Sequence, residues 1–113
     1  MPYLSITTNL PLSAKAEATW AAEASKALAS ELGKPESYVM VALQKATTIH
    51  FGVSEAPAVF MGLQSIGLPH DCNKVAVALT EIAIRHGADA QRVYLACTDV
   101  HQPRWAQGGV TFA

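Results

Sequence analysis

Charge is scarce in this sequence. Only 15% of its 113 residues are Asp, Glu, Lys or Arg, and eight basic against nine acidic residues leave a formal net charge of -1. That balance excludes a basic nucleic-acid binder and a polybasic membrane-surface protein. Cysteine is scarcer still: Cys72 and Cys97 are the only two, too few for a disulfide scaffold and not spaced for zinc. His70 stands near Cys72, but no second pair of ligands accompanies them, so Cys72 and Cys97 read as ordinary thiols of a cytosolic protein. No apolar run approaches the ~18 residues of a membrane-spanning helix. The start, Met1-Pro2-Tyr3-Leu4-Ser5, lacks the basic region and apolar run of a signal peptide. A cytoplasmic location is therefore expected. Also missing are the G-x-S-x-G elbow, the P-loop, a G-x-G-x-x-G after a strand and H-E-x-x-H. No metal or cofactor is implied.

What is present is apolar. Half of the residues are hydrophobic, which rules out a disordered chain and raises the question of where one small core could hold them. The length predicts one domain, residues 1–113. Tyr3–Thr8 reads as a strand ended by Asn9-Leu10-Pro11, and Ser13 as the cap of a helix running to about Leu32. On that helix Trp20, Ala24, Ala27, Leu28 and Leu32 recur at three- and four-residue spacing. Gly33 suits the left-handed residue after the helix, and Pro35 blocks its continuation. A second strand is expected over Tyr38–Leu43.

The pattern then repeats. Pro57–Leu63 reads as a strand, and Asp71 or Asn73 as the cap of a helix with Val75, Leu79, Ile82 and His86 on one stripe. Gly87 ends it and Val93–Cys97 is the next strand. Gly33 precedes Val39 by six residues, as Gly87 precedes Val93, and Pro57 lies 55 residues after Pro2. Two βαβ units are implied, an α+β fold with four strands and two helices on one face of the sheet. Gln44–Phe51 is expected to form a hairpin or short extra strand, and Gln107–Ala113 an extended tail that pairs with another sheet. The strands are apolar at odd and even positions alike, which implies burial on both faces. Two helices cover one face only, so the other calls for a partner, most simply a second copy of the chain.

One chemical feature stands at the start: proline follows the initiator methionine. Loss of Met1 would leave Pro2 with a free secondary amine. Burial or a nearby cation disfavours the protonated form of such an amine and makes it a base near neutral pH. Lys34, by itself, reads as a solvated lysine offsetting the negative end of the first helix.

Met1-Pro2-Tyr3-Leu4, Thr8-Asn9-Leu10-Pro11, Gly33-Lys34-Pro35, Ser65-Ile66-Gly67, Arg92-Val93-Tyr94 and Thr111-Phe112 occur in that order. Together they resemble the macrophage migration inhibitory factor and D-dopachrome tautomerase family, over essentially the whole chain. The resemblance implies a homotrimer with helices outside and an active site at each subunit boundary. It implies keto–enol tautomerisation, without metal or cofactor, of a small α-keto acid or its enol; phenylpyruvate and dopachrome are the family's convenient assay substrates. Pro2 matches the catalytic base, and Lys34 the lysine that binds the substrate carboxylate and disfavours a protonated proline. Ile66 matches a position whose backbone faces the site. Tyr94 matches a tyrosine from the neighbouring subunit, Tyr38 and Phe112 match pocket walls, and Trp105 falls near the pocket tryptophan. Packing alone would account for each of these apolar side chains.

Four departures bear on the carry-over. Ala96 stands where an asparagine follows the tyrosine by two residues, which removes a polar contact to the substrate's far end. Ala58 and Met61 replace the family's C-x-x-C, so its thiol chemistry does not transfer. Gln64 replaces a common histidine, and the Trp105-to-Phe112 spacing differs. Vertebrate members act as cytokines without a signal peptide, so a receptor-binding trimer exported without a leader is the alternative reading, its receptor unknown.

Overall fold

Capping and alternation account for the elements of the computed structural model, which describes residues 1–113. Strand β1 is Tyr3–Thr8 and helix α1 Ala14–Leu32. The Ser13 side chain accepts from the Ala16 N–H at 3.1 Å, satisfying one of the donors a helix start leaves unpaired. At the other end Gly33 takes φ 63°, and the Lys34 N–H donates back to Ala29 at 3.0 Å. The left-handed glycine therefore turns the chain off the helix axis at Lys34. A single 3-10 turn, Glu36–Tyr38, precedes β2, Met40–Lys45. Tyr38, expected in the strand, lies in this turn: with Pro35 ahead of it, the chain curls before it can extend.

The second unit comprises β3 (Val59–Ser65), α2 (Asn73–Arg85) and β4 (Val93–Asp99). Another 3-10 turn, Ala90–Arg92, leads into β4, so the helix-to-strand passages of both units share one construction. Neither residue expected to cap α2 does so. Cys72 holds the cap position without a side-chain bond, and the Asp71 carboxylate accepts from the Asn73 N–H at 2.9 Å.

The sheet runs β2-β1-β3-β4. Each outer pair is parallel and the central β1–β3 pair antiparallel, so two βαβ units meet across the middle as the repeat implies. Val59 pairs with Val93 and Tyr3 with Met40, which sets Pro2 level with Val39. The counterpart of Pro2 is thus Val59, and the 55-residue spacing to Pro57 is two residues out. Thr8 and Asn9 fasten the centre. The buried Thr8 hydroxyl donates to the Ala58 carbonyl at 2.8 Å, and Asn9 Oδ1 accepts from the Ala58 N–H at 2.8 Å.

Gln44–Phe51 adds no strand. The reversal comes later, where Phe51 and Ser54 exchange backbone hydrogen bonds of 2.8 and 3.2 Å around Gly52 and Val53, both at φ 61°. The tail pairs with itself: β5 (Ala106–Gln107) and β6 (Val110–Thr111) are antiparallel about Gly108-Gly109. Both glycines have positive φ, as a two-residue hairpin turn of this hand requires.

The core lies between the sheet and its two helices, with Leu4, Ile6, Met61 and Leu63 facing Trp20, Leu28, Val75 and Leu79. His86 stacks on Trp20, with ring centroids 5.2 Å apart and planes within 1°, and its Nε2 lies 2.7 Å from a Glu23 carboxylate oxygen. The Trp20 indole N–H is buried without an acceptor, a cost of about 1–3 kcal/mol. Burying the ring contributes about 4–6 kcal/mol, so packing outweighs the orphaned donor. No helix is long and apolar enough to cross a membrane.

Burial in β3 alternates strictly, with Val59, Met61, Leu63 and Ser65 inside. The opposite face presents Met40, Phe60 and Tyr94, which are 64%, 47% and 59% exposed. The apolar residues that implied two buried faces thus fill one and leave the other uncovered. An apolar sheet face of this kind predicts self-association. Light scattering at micromolar concentration is expected to give a mass well above the 12.0 kDa protomer, and Phe60→Glu to lower it. A wild-type mass of one protomer would remove the inference.

Candidate active site

The N-terminal end of β1 and the tail hairpin enclose a cleft of about 260 Å3 whose walls include Pro2, Tyr38, Val39, Met40, Trp105 and Gln107. Pro2 is fully buried, and its carbonyl accepts from the Met40 N–H at 3.0 Å, which extends the β1–β2 ladder by one bond. While Met1 is attached, the Pro2 nitrogen is a tertiary amide and carries no basic lone pair. The α-amine then sits on Met1, held below the usual 8.0 by burial and, second, by the Lys34 ammonium. Both effects penalise a positive charge at this place.

Lys34 reaches this region because Gly33 turns the chain at the end of α1. Its ammonium donates to the Ile66 carbonyl at 2.9 Å, across 32 residues of sequence. Beyond Ile66 the chain turns sharply at Gly67, φ 75°, where an added Cβ would meet Lys34 Nζ at 4.0 Å. The Gly67 and Leu68 N–H groups donate to one Asp99 carboxylate oxygen at 2.9 and 3.1 Å, and the Val100 N–H donates to the Ser65 carbonyl at 2.8 Å. The end of β4 therefore holds the turn that presents Ile66. Asp99 was not among the expected residues: its partners are backbone atoms 31 and 32 positions away, for which no side-chain motif exists.

Of the expected residues, Pro2, Tyr38 and Trp105 share the cleft, and Lys34 and Ile66 are joined to each other. Phe112 is tied to Trp105 through its backbone N–H at 3.0 Å, while its side chain does not line the cleft. Tyr94 lies elsewhere. On β4 it pairs with Phe60 of β3, and Phe60 pairs with Thr7 at the far end of β1. Four residues and two strand spacings separate it from Tyr3, roughly 16 Å. Within one chain Tyr94 cannot touch a molecule held at Pro2.

Tyr94 sits instead against Phe51, ring centroids 4.8 Å apart. Arg92 fixes this arrangement. Its guanidinium lies 4.9 Å from the Phe51 ring centre and donates to the carbonyls of Phe51, Ser54, Ala56 and Pro57 at 2.9–3.3 Å. Four carbonyl acceptors satisfy the planar fork without a carboxylate and fasten the irregular segment before β3 to β4.

The family model described as macrophage migration inhibitory factor matches residues 1–113. A macrophage migration inhibitory factor homolog from Brugia malayi is 35% identical over 115 residues, covering 99% of each chain. Among solved structures, macrophage migration inhibitory factor from Toxoplasma gondii superposes with a TM-score of 0.91 at 34% identity, over 97% of this chain and 99% of that one. A homologue from Prochlorococcus marinus gives 0.91 at 29% identity, over 98% and 99%.

The tether on the Ile66 turn is open to test. Asp99→Ala removes an acceptor shared by two N–H groups, and each lost bond is worth about 1 kcal/mol. Hydrogen exchange at Gly67 and Leu68 is expected to quicken roughly five-fold or more. Unchanged exchange at both amides would show that Asp99 does not hold the turn.

Proposed function

The chain belongs to the macrophage migration inhibitory factor family, and we propose that it is a keto–enol tautomerase of phenylpyruvate-type α-keto acids. Its base would be the Pro2 nitrogen, freed by removal of Met1. The observation that carries this reading is the setting of the N-terminus: Pro2 is buried at a cleft walled by Tyr38 and Trp105. The amine that now stands at the terminus, that of Met1, is held below its ordinary value by burial and by Lys34, and the same two effects would favour the neutral, proton-accepting form of a Pro2 amine.

In this reading the substrate carboxylate lies against the Lys34 ammonium, and the aromatic ring lies between Tyr38 and Trp105. Pro2 takes a proton from C3. The C–H electron pair becomes the C2–C3 double bond, and the carbonyl π pair moves to oxygen. A proton returned to that oxygen completes the enol, and the reverse sequence regenerates the ketone. Lys34 serves twice, since the charge that attracts the carboxylate also keeps the neighbouring amine unprotonated.

Assembly belongs to the same proposal. A homotrimer would cover the face bearing Met40, Phe60 and Tyr94. It would also bring a neighbour's Tyr94 to a cleft that its own chain's Tyr94 cannot reach. Ala96, on the same open face, offers no polar group to the substrate's far end, which favours a plain aromatic ring over a hydroxylated one.

Intact mass first establishes that Met1 is absent. Pro2→Gly, which keeps a terminal amine but loses the ring, is then expected to lower kcat/KM for phenylpyruvate by about 100-fold or more, the usual weight of a general base. Its circular dichroism should remain that of the parent. Parent-like turnover in the variant would overturn the assignment of the base.

A further inference from the structure

Cys72 and Cys97 stand 25 positions apart in sequence, yet the fold brings them to one place. Cys72 immediately precedes α2, and Cys97 lies on the helix-facing side of β4, in the row of Val93 and Leu95. Both thiols are free and half-buried. Both line a cavity of about 380 Å3 together with Leu68, Pro69, His70 and Asp99. The Cys72 thiol points to the Pro69 carbonyl at 3.9 Å. Burial first, then a hydrogen bond with Cys72 and the charge that Cys72 can carry, push the Cys97 thiol up to about 12. These are two thiols at the wall of one open cavity, where the reading from sequence had two unrelated ones. The C-x-x-C that the family carries plays no part, since its positions hold Ala58 and Met61.

The segment that this pair would close is the one that leads away from the candidate active site. Ile66 is held by Lys34, Gly67 and Leu68 by Asp99, and the chain then runs through Pro69–Asp71 to Cys72. Past Leu68, the bonds that restrain this stretch are local ones at its helix end. We propose that Cys72 and Cys97 form a reversible disulfide that fastens the Ile66–Asp71 segment to β4, with a low-molecular-weight disulfide of the glutathione type as the oxidant.

Two exchanges complete the step. Cys72 loses its proton and attacks one sulfur of the small disulfide. That S–S bond breaks, and the first small thiol leaves with a proton. Cys72 now carries no charge and no thiol hydrogen, so its contribution to holding the proton on Cys97 falls away and burial alone remains. Cys97 loses its proton, attacks Cys72 Sγ and expels the second small thiol. Two protein thiols are oxidised to one disulfide, and one small disulfide is reduced to two thiols.

The order of events follows from the unequal settings of the two sulfurs. Thiolate is the attacking species; Cys97 packs against the core, where burial disfavours its charged form, whereas Cys72 stands just ahead of α2. Cys72 therefore reacts first, and Cys97 resolves.

The full-length protein, incubated with oxidised glutathione and then alkylated with N-ethylmaleimide, provides the test by mass spectrometry. The expected product is lighter than the reduced chain by two hydrogen atoms, takes up no maleimide and yields a proteolytic peptide pair linking Cys72 to Cys97 within one chain. Dithiothreitol should reverse it. Cys97→Ser is expected to stop at one glutathione on Cys72, and Cys72→Ser to react at least about ten-fold more slowly. Hydrogen exchange over residues 66–71 should slow in the oxidised wild-type protein. Two glutathiones on one chain, a link between two chains, or two alkylated thiols after exposure would each overturn the proposal. These readouts are independent of turnover, so they decide it whether or not Pro2 proves to be the base.

Discussion

A hydrogen bond from the Lys34 ammonium to the Ile66 carbonyl, 2.9 Å long, joins the end of the first unit's helix to the turn after the first strand of the second unit. The site depends on it. Gly33 is left-handed so that Lys34 can leave the helix axis, and Gly67 is left-handed where a side chain would approach Lys34 Nζ. Asp99 holds the far side of the same turn. A cation placed in this way, partly withdrawn from water and short of carboxylate partners, acts on whatever lies near it. What lies near it is the chain terminus, whose amine it helps to hold in the neutral form.

The sheet imposes the second constraint. Strict alternation places one row of β1 and β3 against the helices and the other in the open. On that open face Met40 and Phe60 follow the register with Tyr3 and Thr7, and Tyr94 follows Phe60. The apolar excess noted at the outset divides accordingly: part fills the core, and part lies on a face that only another molecule can cover. The same geometry separates Tyr94 from Pro2 within one chain. The proposed site between copies and the uncovered sheet face thus trace to one register.

How much was legible in the sequence follows from the range of the interactions concerned. β1 and α1 could be read to the residue because their signals are local: Pro11 after the strand, Ser13 at the cap, Gly33 and Pro35 at the stop. The start of β2 could not, since Tyr38 favours strands in isolation and only the turn after Pro35 draws it to the cleft wall. The cap of α2 was misplaced by one residue, because Asp71 bonds to the Asn73 amide in an Asx turn instead of starting the helix. Pro2 was visible as chemistry, whereas Lys34 read as a solvated lysine until its companions suggested the family. The holding roles of Asp99 and Arg92 were silent because their partners are backbone atoms tens of residues away. The shared cavity of Cys72 and Cys97 was silent for a related reason: it depends on where the second helix begins relative to the end of β4.

The central claim is that the Pro2 nitrogen is a free amine whose proton is held weakly. Nitrogen NMR of Pro2 across a pH titration tests it most directly. The account predicts one titration, below the ~7.7–8.0 of an ordinary α-amine, which moves upward in Lys34→Ala as the opposing charge is removed. Neutral base is present above that pKa and lost as pH falls through it, so tautomerase activity should follow the same curve. A Pro2 nitrogen that behaves as a tertiary amide and does not titrate, or one that titrates at or above the ordinary range, would contradict the account.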